Sequence, residues 1–353
     1  MSTGDTARPA GGFTRTGGVF PAVGWLGVEA PKIELHVHLE GAIRPATLLE
    51  IARRNRQPLP ADTVDGLREL YEFTSFDDFI RVWLLTTNCL RTAEDFRQVV
   101  VDYAGEAARF GAVYLEGIFS PAERVQRGVG WAEIFTGYTE GAAEAYQRHG
   151  VTVRLTPDLY RTVEVDLAVE CARWAVRYAD RGIVGFGLGG MESACPAARY
   201  AEAFAIAAGG GLGLVPHAGE GAGPESVREI LSFHPARIRH GIRAVEDPSV
   251  LAEVADRGLV LDVCPTSNLR TRVVGSLAEH PLPRLRAAGV PCSISTDDPA
   301  MFGTDLGREH ELAATLGVSA ADAYAAGLAG ALCDGPTRAR LAALGTAHYG
   351  APA

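Results

Sequence analysis

Apolar positions along the chain fall into short β-branched runs, separated by longer stretches of Ala, Leu, Arg and Glu at helical spacing. The runs cover 33–39, 112–119, 151–155, 183–188, 213–216, 237–240, 259–263 and 290–295. Helices are predicted between them over 45–55, 92–110, 131–149, 163–179, 198–208, 224–231, 248–256 and 281–288. Strand and helix alternating eight times predict an α/β protein, a closed parallel (β/α)8 barrel. An open doubly wound sheet is disfavoured because no G-x-G-x-x-G follows the first run, which continues His38-Leu-Glu-Gly-Ala-Ile-Arg-Pro45. The insert between the first two strands, 45–109, is too long for one helix and predicts an extended helical insert. It carries Phe73-Thr-Ser-Phe-Asp-Asp-Phe79, whose aromatics suit either a pocket mouth or a helix–helix contact. Residues 1–30, rich in Gly, Pro, Thr and Ala without a period, read as a flexible tail with a docking segment at 20–25. The barrel is expected over 31–345, with a short C-terminal tail over 346–353.

Composition narrows the function. A chain of 353 residues with 47% hydrophobic and 22% charged residues has the makeup of a globular protein, and barrels of this length occur undivided. A net charge of −10 disfavours nucleic-acid partners, which select basic patches. No apolar run reaches the ~20 residues of a membrane helix, and the first thirty residues lack a signal-peptide pattern, so a cytoplasmic protein without a membrane partner is expected. The six cysteines are scattered and never form C-x-x-C, which predicts isolated thiols rather than disulfides or a thiolate zinc site.

The ends of the predicted strands carry the chemistry. In a barrel, reactive groups gather at the carboxyl ends of the strands. Here those ends read His36-Val-His38, His217-Ala-Gly-Glu220, His240-Gly241 and Thr296-Asp-Asp-Pro299. Buried imidazoles and carboxylates are costly without partners, so four such ends point to one site. His36 and His38, two apart in a strand, share a face. With His217 and one aspartate they form an N3O set suited to zinc and tolerant of iron, cobalt or manganese. A metal of this kind lowers the pKa of bound water toward ~7. Glu220, three residues past a ligand, is the best-placed proton donor, and His240 is free to stabilise charge or orient water. Asp297 and Asp298 diverge in extended backbone, so one suits the metal and the other a hydrogen bond to water or substrate. The remaining histidines, His149, His234, His280, His310 and His348, read as structural or solvated.

Six motifs in order and spacing, His36-Val-His-Leu-Glu-Gly41, Gly187-Leu-Gly-Gly190, His217-Ala-Gly-Glu220, Arg239-His-Gly241, Cys264-Pro-Thr-Ser-Asn268 and Ser295-Thr-Asp-Asp-Pro299, resemble the adenosine deaminase family of the amidohydrolase superfamily. The resemblance runs from Lys32 to Ala342. It implies a barrel with one zinc ion per chain that replaces a purine 6-amino group by oxygen and releases ammonia. It further implies His36, His38, His217 and Asp297 as zinc ligands, Glu220 as proton donor to purine N1, and His240 and Asp298 as partners of the attacking hydroxide. Gly190, through its backbone N–H at N3, together with Glu40, His38 and Asp298, would face the substrate. Cytidine-type zinc deaminases are disfavoured, since Pro291-Cys292 continues Ser-Ile. Binuclear relatives need a bridging lysine, and Lys32, the only lysine, starts the first strand.

Three departures bear on the purine N9 substituent. Glu40 stands where adenosine deaminases carry a ribose-contacting Asp, Ile118 where an Arg is common, and Met191 where an acid is frequent. Adenosine or deoxyadenosine is the expected small-molecule partner. Adenine and aminodeoxyfutalosine are the competing substrates. Another amidohydrolase reaction on an amide or ester, or a non-enzymatic metalloprotein, are the remaining readings. Oligomeric state has no sequence signature.

Overall fold

The computed structural model describes residues 29–72 and 76–350. The expected tail lies outside the described residues as far as residue 28, with its docking segment, and so does Phe73.

Strand β1 (Lys32–His38) pairs in parallel with β2 (Ala112–Phe119), β2 with β3 (Thr152–Tyr160), β3 with β4 (Gly185–Gly189), and β4 with β5 (Gly213–Leu214). The chain then passes through Val215 and Pro216, which has no N–H to give a ladder, and resumes as β6 (His217–Ala218). Strand β6 pairs with β7 (Ile238–His240), then come β8 (Leu261–Val263) and β9 (Cys292–Ile294). The two short pieces β5 and β6 are therefore one barrel strand, and the eight predicted strands are present. Closure comes just beyond β9: the Asp297 N–H donates to the His36 carbonyl at 3.1 Å, and the Asp297 carbonyl accepts the His38 N–H at 2.8 Å. The barrel seam thus runs through three candidate site residues, His36, His38 and Asp297.

Strands β1 and β2 are buried almost throughout, as continuous apolar runs in a helix-covered parallel sheet require. The interior also holds ions. Buried Arg237 donates to Asp262 and Glu116, each at 2.6 Å, and to the Leu35 and Gly330 carbonyls. Satisfying the guanidinium donors in this way is what makes a buried cation tolerable.

Helix starts follow local chemistry. Thr92 and Asp95 form a capping box for Ala93–Arg109, and proline opens Pro45–Arg54, Pro224–Leu231 and Pro248–Asp256. The insert after β1 comprises helices Pro45–Arg54, Val64–Arg68, Phe76–Asn88 and Ala93–Arg109.

Two boundaries differ from the sequence reading. β3 runs five residues past 155 because Thr156 and Asp158 are buried and bound by Arg239. The last helix, Gly335–Tyr349, carries the fold into the expected tail: the Tyr349 hydroxyl donates to the Pro31 carbonyl at 2.7 Å, and its ring packs on Tyr324. Lys32 lies at the opposite end of β1 from the histidines, with its ammonium on the Phe110 carbonyl at 2.7 Å. Among the described residues no single helix is long and apolar enough to cross a membrane.

Candidate active site

The carboxyl ends of β1, β6, β7 and the segment after β9 converge. Two of their residues, His240 (φ 59) and Asp297 (φ 65), hold left-handed backbone, a conformation that non-glycine residues keep only when neighbours impose it. For Asp297 the neighbours are the paired backbone bonds to β1.

Four of the predicted side chains are linked by three short separations. His36 Nε2 is 3.1 Å and His38 Nε2 3.3 Å from Asp297 Oδ1, and His38 Nε2 is 3.3 Å from His217 Nε2. Ligands about 2.05 Å from a tetrahedral zinc lie about 3.3 Å from one another, so these separations are those a metal would impose. The donor chemistry agrees. His217 Nδ1 donates to the Leu188 carbonyl at 3.0 Å, which leaves its Nε2 lone pair facing the site. His36 Nε2 is buried without a hydrogen-bond partner. Burial pushes His36, His38 and His217 below their ordinary values, which keeps them neutral. Burial also works against the charge of Asp297, but His36 beside it holds its carboxyl well below the usual range. Ser267 donates to its other oxygen at 2.6 Å.

Asp297 belongs to two overlapping groups able to hold a cation, one with His36, His217 and His240, the other with His38 and Asp298. His240 stands further off, its Nε2 3.5 Å from Glu220 Oε2 and 3.7 Å from Asp297 Oδ2. Glu220 faces the cavity, and burial raises its carboxyl to about 7, against the pull of His240. Asp298 is buried, with Oδ1 lacking a hydrogen-bond partner. Burial first and then the neighbouring Asp297 push its carboxyl well up. Gly41 makes room for it: a Cβ at that position would sit 1.8 Å from Asp298 Oδ1.

These groups open into a cavity of about 360 Å3, whose walls include Phe79, Trp83, Met191 and Phe302. Phe79 stacks on Phe302 at 5.6 Å, so this aromatic of the insert does face the pocket. Gly190 lines the floor with φ +84, and a Cβ there would strike the Tyr160 ring.

Glu40 is placed differently from expectation. It does not line the cavity; it lies buried behind it, its Oε1 accepting the Ser120 N–H at 2.8 Å, and burial raises its carboxyl to about 7. The reason is the turn after His38, which directs Glu40 under the end of β2. Glu40 reaches the cavity wall through Ser120, and its charge adds to the push on the Asp298 carboxyl.

Sequence reading missed two supporting carboxylates. Asp158, hidden in a Thr-Pro-Asp stretch, lies 3.3 Å from His217 Nδ1 and is bound by Arg239. Glu192 accepts backbone N–H groups from Gly219, Glu220 and Gly221, each at 2.8 Å, and the Ser226 hydroxyl. It thereby fixes the turn that presents Glu220. Its nearness to Gly190 was the available signal. All six cysteines are free, and Cys264 Sγ packs 3.6 Å from His36 Nδ1.

A closed barrel whose strand ends bring three neutral imidazoles and an anionic aspartate together beside a protonatable glutamate is that of a metal-dependent hydrolase. More narrowly, the chain belongs to the adenosine deaminase family, whose profile matches residues 31–343, and is a hydrolytic deaminase. It is 59% identical to the aminodeoxyfutalosine deaminase of Acidothermus cellulolyticus, over 91% of this chain and 92% of that one. Its fold matches the crystal structure of an adenine deaminase from Arthrobacter aurescens (TM-score 0.85, 31% identity), covering 91% of this chain and all of that one. It also matches a zinc-bound amidohydrolase from Burkhoderia ambifaria (TM-score 0.81, 25% identity), covering 91% and 90%.

Proposed function

We propose that this protein hydrolyses the 6-amino group of a 9-substituted adenine, with aminodeoxyfutalosine as substrate and zinc as the metal. One observation carries the choice of substrate: the 59% identity to an aminodeoxyfutalosine deaminase across nearly the whole of both chains. This reading replaces the expectation of adenosine or deoxyadenosine. The cavity supports it, because about 360 Å3 with an apolar wall is the size that holds a drug-sized ligand rather than a bare base.

His36, His38, His217 and Asp297 would hold the metal, which supplies a water activated for attack at neutral pH. The chain's residues do the rest. Gly190 meets the purine edge with its backbone N–H, with Tyr160 packed beneath. Glu220 gives its proton to N1, which makes C6 electrophilic as water oxygen adds there. The added water gives up both its protons, one returning Glu220 to its acid form and the other completing the amino group as ammonia; the C6–N bond breaks, and the ring is left with a carbonyl at C6 and a proton on N1. His240 and Asp298 flank the incoming oxygen and fix its direction of approach.

The test is kcat/KM measured by the absorbance change of deamination over adenine, adenosine, deoxyadenosine, AMP, S-adenosylhomocysteine, methylthioadenosine and aminodeoxyfutalosine. Aminodeoxyfutalosine should rank first. A higher value for adenine, the substrate named for the Arthrobacter aurescens neighbour, would move the assignment there.

A further inference from the structure

Behind His240 runs a chain of hydrogen bonds whose direction is set at its far end. The Leu282 backbone N–H can only donate, and it donates to His280 Nδ1 at 3.1 Å. His280 Nδ1 therefore carries no proton, and the ring, buried and neutral, carries its proton on Nε2. That nitrogen lies 3.2 Å from Asn268 Oδ1, which accepts. The Asn268 amide is thus oriented, and its Nδ2 donates to His240 Nδ1 at 3.4 Å. His240 Nδ1 is an acceptor, so the ring proton is on Nε2. That nitrogen faces Glu220 and Asp297.

We propose that Asn268 and His280 are positioning residues that lock His240 in the Nε2–H tautomer, so that it enters the reaction as a hydrogen-bond donor aimed between Glu220 and Asp297. The inference rests on the deaminase reading for its kinetic consequence but not for its structural content. A nitrogen that carries a proton cannot ligate a metal, so the relay removes His240 from the group it otherwise forms with His36, His217 and Asp297. It leaves His38 as the third imidazole. His280, which the sequence marks as merely structural, becomes the origin of the tautomer.

The decisive readout is the pair of imidazole 15N resonances of His240 in the zinc-loaded enzyme, assigned by their loss in His240→Gln. Wild type should show a protonated Nε2 and an unprotonated Nδ1. Asn268→Asp keeps the shape of the side chain but can only accept, so the proton should move to Nδ1. In that variant kcat should fall about 10²-fold, with KM and zinc content little changed. His280→Gln places an amide nitrogen where Nε2 was and should keep most of the rate, whereas His280→Phe should not. A wild-type spectrum with the proton on Nδ1 would overturn the proposal, whether or not any variant folds. So would Asn268→Asp with an unmoved proton and unchanged kcat. Absence of deaminase activity alongside an Nε2–H spectrum would instead count against the assigned reaction.

Discussion

In the proposed mechanism the chemistry turns on Glu220, because a carboxylic acid gives up a proton near neutrality only if its surroundings raise it. Burial does so here, to about 7. Glu220→Gln should keep its metal, as the side chain is not among the proposed ligands, while kcat falls at least ~10²-fold. A near-normal rate would remove Glu220 from its role. In wild type the acid is protonated below about 7 and loses its proton above it, so the rate at saturating substrate should decline as pH rises through that value. At this scale the sequence was informative wherever a polar group interrupted an apolar run, which is how His36, His38, His217, His240 and Asp297 stood out. Asp158 and Glu192 did not, since each sits among turn-forming residues and its function is visible only from what it binds.

At the scale of elements, the turn after β1 carries a buried acid whose cost depends on pH. Glu40 is raised from 4.5 to about 7, so between these values the folded chain binds a proton that the unfolded chain has released. Stability contributed by this group therefore falls as pH rises from about 4.5 to about 7 and levels off beyond. Glu40→Gln keeps an acceptor for the Ser120 N–H and abolishes this slope. Relative to wild type it should gain up to about 3 kcal/mol between pH 4.5 and 7.5, read as the difference between denaturant unfolding curves. Parallel pH profiles for the two proteins would contradict the placement of Glu40. Element boundaries were legible where capping residues or prolines mark them, as at Ala93–Arg109 and Pro224–Leu231. They were not legible where burial overrides local preference: β3 continues through Thr-Pro-Asp because Arg239 binds Thr156 and Asp158 there.

For the whole molecule, the candidate ligands come from opposite ends of the chain. His36 and His38 lie on β1, His217 on β6, and Asp297 at the seam where the barrel closes. A metal joining them ties that seam, so its removal should cost stability as well as activity. At a free metal concentration 100-fold above Kd the binding contributes about 2.7 kcal/mol, enough to move Tm by several degrees. Chelation should lower Tm and activity together, and zinc should restore both; an unchanged Tm would place the metal elsewhere. The eightfold alternation made the barrel legible from sequence, while the seam was not, because it rests on backbone bonds of Asp297 that no side-chain pattern encodes.

The most direct test is to titrate zinc into metal-free enzyme and follow ammonia released from aminodeoxyfutalosine. Activity should rise linearly and break at one equivalent per chain, with one ammonia formed per substrate consumed. A break at two equivalents, or conversion without ammonia, would contradict a single-metal purine deaminase.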